Sequence, residues 1–268
     1  MPATFPAHPA AVLPLKLAYP RRLDGVALVL GAAAPDLPYV VEGFGFTVRG
    51  HSWHGLFWFC LPATLILAAL VRRAAPHVAA HLPNGGVLAL RDYGGLAATR
   101  YPLRVSAMCA LLGAATHVAW DSVTHPYILV GHPFIGEDTY LTAMHATAIA
   151  GLPWWRVIHL ASEVAGAVIV GACLVHIGRH RLLVAWHGTP PVVPRRPVVF
   201  AATAAIAGSA LLAIVLVLPG NGIGPYVIGF RLLAAAALTM LLAGAVTAGW
   251  PATNQSDRPP AARRGTHP

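Results

Sequence analysis

Apolar residues in this chain run in long, almost unbroken stretches rather than in the alternating patterns of soluble helices and strands. Leu56 to Val71, Val105 to Trp120, Val157 to Ile177, Val198 to Leu218 and Tyr226 to Trp250 are such stretches, and a helix needs roughly 20 apolar residues to cross the hydrocarbon core of a bilayer. The first two fall somewhat short of that length, so their ends are open. The later stretches are apolar around the whole helix, whereas a soluble domain of this size needs amphipathic outer helices. Two shorter apolar runs, Ala10 to Ala18 and Val26 to Ala34, come first, separated by Tyr19-Pro20-Arg21-Arg22-Leu23-Asp24. Each is about 14 Å long at ~1.5 Å per residue, too short to span alone. The pattern predicts an all-α, polytopic helical membrane protein with about five long transmembrane helices and a short N-terminal helical hairpin.

Composition agrees: of 268 residues, 57% are hydrophobic and only 10% charged. No positive charge precedes the first apolar run, so the N-terminus is expected to stay in the mature protein rather than act as a cleaved signal. The organisation read from the chain is a metal-site membrane domain over residues 1–180, additional transmembrane helices over 181–250, and a disordered cytoplasmic tail over 251–268.

Arginine placement sets an expected orientation. The loop from Arg72 to Arg104 carries five arginines against Asp92, and the loop from Gly178 to Pro197 carries four with no acid; both should face the cytoplasm. The segment from Ser122 to Arg156 and the turn from Pro219 to Pro225 should then lie outside, and a hairpin with Lys16, Arg21 and Arg22 at its tip should return His8 and Asp36 to the outer side. The net charge of +9 is thus read as inner-face anchoring. No nucleic acid is expected as a partner, because the charges do not gather into one folded basic surface; membrane lipids are. Three cysteines, Cys60, Cys109 and Cys173, lie in proposed spans without CxxC spacing and read as small core residues.

The chemistry lies in the His and acidic residues. His117 and Asp121 are four apart near the end of the second long span and share a helix face, with β-carbons about 5–6 Å apart. His125 follows, and Pro126 disfavours helix there, so its imidazole can turn back toward the same ion. His159 and Glu163 form a second i, i+4 pair near the start of the third span, and an acid inside a span calls for a polar cavity or a partner. The bland reading of either pair is an interhelical hydrogen bond. The topology, however, brings His51, His117, Asp121, His159 and Glu163 to one side of the membrane, with His8 and Asp36 joining them through the hairpin. Imidazole and carboxylate without thiolate suit zinc, or else manganese. His54, His132 and His145 are secondary candidates.

His8-Pro9, Gly31-Ala-Ala-Ala-Pro35-Asp36, His51-Ser52 and His117-x-x-Trp120-Asp121-x-x-Thr124-His125 resemble an uncharacterised family of bacterial membrane proteins carrying a domain of unknown function, over about residues 1–180. That family is similar to membrane-bound metal-dependent hydrolases. A more distant resemblance is to the zinc-dependent phospholipase C and single-strand nuclease superfamily, whose ligands come in the order His, Asp, His, H-x-x-x-D, His, H-x-x-x-E. His8, Asp36, His51, His117 with Asp121, His125, and His159 with Glu163 run in that order here. The resemblance implies metal-assisted hydrolysis, with Asp121 bridging two cations about 3.5–4 Å apart and Asp36 as the acid that takes a proton from water. Arg49 and Arg156 flank these ligands, and they suit either lipid-headgroup anchoring or binding of an anionic lipid or lipid-linked phosphate. The expected function is a membrane-embedded hydrolase of a phosphoester or other ester at the outer face. A metal-binding or ion-conducting protein without hydrolysis, and a structural protein with a degenerate site, are the alternatives.

Overall fold

The computed structural model describes residues 7–45, 47–124 and 142–249, and their arrangement is almost entirely helical. Two short helices, α1 (Pro9–Ala18) and α2 (Gly25–Ala33), pack together as a hairpin. Pro9 suits the first position of α1, where its fixed φ is already helical. Asp24 caps α2 by accepting from the Ala27 amide at 3.2 Å. Beyond α2 the chain tightens into a 3-10 helix, Ala34–Val41, which carries Pro35, Asp36 and Pro38; the prolines lack the N–H that an α-helical ladder requires.

Five helices are long and apolar enough to cross a membrane: α3 (Trp53–His81), α4 (Leu103–Thr124), α5 (Trp154–Arg179), α7 (Pro197–Val217) and α8 (Pro225–Gly249), with a short α6 (Leu182–His187) between α5 and α7. The chain is an all-α polytopic protein, as its apolar pattern requires. Among the described residues one small β-hairpin, Thr147–Ile149 with Leu152–Pro153, precedes α5. The hydrophobic pattern ends the first long span at Val71, but α3 runs on to His81. Arg72 does not stop it because arginine and alanine are good helix formers and Arg72 has a partner inside the protein. Near its start α3 widens into a π-helical segment, Leu56–Cys60, just before Pro62, which cannot donate to the carbonyl four residues back.

The core is built on α2 and α4. Val12, Ala27, Leu28, Ala32, Cys109 and Ala110 form one buried cluster, and small residues bring the two backbones together. A β-carbon on Gly113 would stand 2.3 Å from the Leu28 carbonyl oxygen, and one on Gly31 would stand 2.4 Å from that of Ala110. Only glycine allows this approach, which is how helices without a hydrophobic drive to associate pack in lipid. Cys60, Cys109 and Cys173 are buried and free, as core residues.

Where α2 and α4 begin, a polar group is enclosed that the hydrophobic pattern does not reveal. Asp24 is fully buried and accepts from Arg72 Nη2 at 2.5 Å and from the Ser106 hydroxyl at 2.5 Å. Lys16, also buried, donates to the carbonyls of Pro20 and of Leu23, the latter at 2.9 Å. Nearby, Arg181 pairs with Asp92, its Nη2 2.6 Å from Oδ1. Lys16, Arg72 and Arg181 are therefore held by partners within the protein; for Lys16 and Arg72, which stand beside the buried Asp24, burying charge in a helix bundle requires a counter-charge.

Candidate metal centre

At the opposite end of α2 and α4, four side chains converge. Asp36 stands on the 3-10 helix, held by the buried Pro35–Asp36 turn. His51 sits in the turn before α3, where Ser52 caps the helix by accepting from the Gly55 amide at 3.0 Å. Gly50 lets that turn press on the 3-10 helix: a β-carbon there would lie 2.3 Å from the Pro35 carbonyl oxygen. His117 and Asp121 lie one turn apart near the end of α4, both buried. Among the described residues, Asp36, His51, His117 and Asp121 offer ligand atoms that all lie within 4.8 Å of one another, and the group could hold a metal ion.

The separations fit a small cation. His51 Nε2 is 3.2 Å from Asp36 Oδ1 and 3.2 Å from Asp121 Oδ2. His117 Nε2 is 3.4 Å and 3.1 Å from the same two oxygens, and the two Nε2 atoms are 3.3 Å apart. Ligands at 2.0–2.2 Å around a tetrahedral ion are separated from each other by about 3.3–3.6 Å. The other ring nitrogen of His117, Nδ1, lies 2.6 Å from the Ala32 carbonyl oxygen. As the donor of that bond Nδ1 carries the proton, so the Nε2 lone pair faces the carboxylates, the arrangement by which outer partners orient metal-binding imidazoles. The glycine contact between α2 and α4 is what brings Ala32 to His117. Burial opposes charging of His51, and its hydrogen bonds to the carboxylates of Asp121 and Asp36 overcome that opposition, so its pKa is raised above the ordinary histidine value.

His8 closes one side. Its ring stacks on that of His117 with centroids 3.6 Å apart, and its Nε2 is 3.6 Å from Asp121 Oδ1 and 4.0 Å from Asp36 Oδ2. It touches both carboxylates without belonging to the tight group. His159 and Glu163 make a pair of their own, Nε2 to Oε1 3.4 Å, outside that group, with His159 fully buried in α5. His125 lies outside the described residues, as does His132. His54 is exposed against Trp53, and His145 faces Trp155 at 6.5 Å between ring centroids. Arg156 is half-buried with its guanidinium carbon 5.9 Å from the centre of the Trp155 ring. Arg49 is exposed, and its carbonyl accepts from the Ser52 hydroxyl at 3.0 Å.

Two residues near the centre were not singled out from the sequence. Tyr39, one turn after Asp36, stands between His51 and α8, with ring centroids 6.1 Å from His51, 5.2 Å from Tyr226 and 5.2 Å from Phe230. Arg231 of α8 is buried to 1% exposure. It donates from Nε to the Val40 carbonyl at 3.0 Å, from Nη2 to the Glu42 carbonyl at 2.6 Å, and from Nη1 to Asn221 Oδ1 at 2.6 Å, clamping the end of the segment that carries Asp36. The signal was a lone arginine inside an apolar span, which in a membrane calls for a partner.

Fold and site together describe a multi-pass helical protein with a buried carboxylate and imidazole group able to hold a cation. The sequence model of the family described as "Domain of unknown function (DUF4184)" matches residues 1–250, and the chain belongs to that family. No curated protein and no solved structure matches the chain.

Proposed function

We propose that this protein is a membrane-embedded metal-dependent hydrolase acting on a phosphoester or other ester of a lipid or lipid-linked substrate at the extracytoplasmic face. The observation that carries the reading is the cage of Asp36, His51, His117 and Asp121, with ligand-atom separations near those of a tetrahedral ion. Its donor set, two imidazoles and two carboxylates without thiolate, favours zinc, with manganese next. A divalent cation held there supplies Lewis acidity and a water of lowered pKa. Asp121, facing His8, His51 and His117 at once, is the natural bridging carboxylate. Asp36, in reach of His8, His51 and His117, is the group to take up a proton. His51 has the most exposed side chain of the four and marks the side from which water enters. His8 is an additional ligand, with His125, His159 and Glu163 the further ligands that the resemblance to zinc-dependent phospholipases suggests; Arg49 and Arg156 bind the anionic part of the substrate. Exposed Trp53, Trp58, Trp120 and Trp154 lie at the same end of their helices, as interfacial aromatic belts do, which supports a site at headgroup depth.

Metal analysis of the protein purified in detergent, paired with turnover of a chromogenic phosphodiester and a carboxylic ester, tests this reading. One to three equivalents of zinc or manganese together with ester cleavage that a chelator abolishes is the expected result. Bound metal without cleavage of either ester class leaves a metal-binding membrane protein, and no metal at all ends the proposal.

A further inference from the structure

A cavity of about 450 Å³ lies between α1, α4 and α5, with His8 in its wall. Its volume is in the range of small-molecule sites, about 300–1,000 Å³. The wall is hydrocarbon in character. Beside His8 the polar groups of the wall are the indole N–H of Trp120 and the hydroxyls of Thr116 and Ser162, and both hydroxyls are satisfied within their own helices, donating to Gly113 and His159 carbonyls at 2.8 Å each. Little polar is asked of an occupant along the wall, while His8, which lines the cavity, links it to the metal centre, its Nε2 lying 3.6 Å from Asp121 Oδ1 and 4.0 Å from Asp36 Oδ2.

Its dimensions and opening match a lipid tail. From Ile158 to Ile169 the α5 wall runs eleven residues, about 16 Å of helix, and one leaflet of a ~30 Å hydrocarbon core is about 15 Å deep. Trp120 and Ile169 line the cavity and are also exposed on the apolar outside of the bundle, so it opens sideways toward lipid rather than toward water. Gly166 shapes the closed side: a β-carbon there would stand 2.4 Å from that of Ala7, so glycine lets α5 meet the residue before His8. Arg156 is not in the cavity wall, but it stands at the same end of α5 with its guanidinium over Trp155, a cation at the depth where the head group of a lipid in this slot would lie.

We propose that this cavity holds one acyl chain of an anionic phospholipid whose head group is presented to the Asp/His centre. The assignment of that head group as substrate rests on the hydrolase reading; binding of the chain does not.

The test reads binding without turnover. The protein is reconstituted in vesicles of phosphatidylglycerol containing a trace of the same lipid with a diazirine in its acyl chain, irradiated, and its adducts are mapped by peptide mass spectrometry. Adducts should concentrate between Ile158 and Ile169 relative to the exposed face of α7 at Ile206 and Ile214. Ala165→Phe fills the slot from α5 and Ala11→Phe fills it from the facing wall; both positions are exposed cavity residues that the fold tolerates changing. Each should lower slot adducts about tenfold, the effect of excluding roughly two methylene groups from a dry pocket, and leave those on α7 unchanged. Equal labelling of the slot and α7, or adducts indifferent to both substitutions, overturns the proposal. Equal labelling by the phosphatidylcholine analogue overturns the anionic head group. A protein without metal or esterase activity that still labels the slot refutes the hydrolase reading alone, whereas an active metalloprotein that does not label it refutes this one alone.

Discussion

Asp121 faces three histidines, His8, His51 and His117, at 3.1–3.6 Å, and it stands closer to His8 than Asp36 does, which reaches the same three at 3.2–4.0 Å. Changing Asp121→Asn keeps the shape and removes the charge that offsets a cation. Metal affinity, measured by competition with a chelating dye, should fall by more than about tenfold, the scale on which even outer partners of metal sites act. Insertion into the membrane should survive, because one charge fewer lowers the cost of burying α4. Were Asp121 only an interhelical hydrogen-bond partner, the asparagine would be nearly neutral, as such bonds in membranes average about 0.6 kcal/mol. Arg231 acts at the same scale through backbone. Arg231→Met strips the Val40 and Glu42 carbonyls of their donor, and unfolding in detergent should show a loss of roughly 2–3 kcal/mol, the range for hydrogen bonds from a charged group. Metal affinity should decline with it, since the segment so released carries Asp36.

Among the elements, the contact between α2 and α4 decides the site. Gly113→Val would place side-chain atoms where the Leu28 carbonyl and the Ala32 amide already stand, the latter 2.7 Å from even a single β-carbon. The helices must part, the Ala32 carbonyl leaves His117 Nδ1, and metal should be lost although the helical circular dichroism persists. At the other end of the same helices, α6 brings His187 to the Lys16 and Asp24 group. Its Nδ1 is 2.7 Å from the Thr99 hydroxyl; burial, then the charge of Lys16, pushes its pKa down to about 4 against Asp24, which acts the other way. The folded state therefore holds His187 neutral, while the unfolded chain protonates it near 6.5. The unfolded form binds more protons between those values, so this contribution is complete above about pH 6.5 and is lost as pH falls toward 4. Melting temperatures of the wild type and His187→Gln should converge across that window; a constant gap between them would count against the coupling.

For the whole molecule, two enclosed polar groups lie at opposite ends of the helices with an apolar middle between them. From the positive-inside pattern we propose that the Asp24 end faces the cytoplasm and the metal centre the outside. Thr47 and Asn84 are exposed at the two ends, and the native cysteines are buried. Thr47→Cys should react with an impermeant maleimide in intact cells and Asn84→Cys only after lysis; the reverse result inverts the topology.

The sequence by itself determined the spans, because whole-circumference hydrophobicity over about 20 residues has few structural outcomes in lipid. It also determined that His117 and Asp121 share a face, since four-residue spacing on a helix is a local fact. The hairpin was legible from its two short runs, and the fourth and fifth spans were legible as helices but silent about chemistry. Only the tertiary structure decided which ligands meet. Asp36 reaches His117 across 81 positions, and His8 stacks on the same ring, because Gly31, Gly50 and Gly113 permit backbone approaches that no periodicity encodes. It alone joined Arg231 to the carbonyls of Val40 and Glu42, and Arg72 to Asp24. A one-dimensional pattern gives the depth of a side chain and the face it stands on. The partner it meets depends on the rotation and distance of neighbouring helices, which packing fixes between residues remote in the chain.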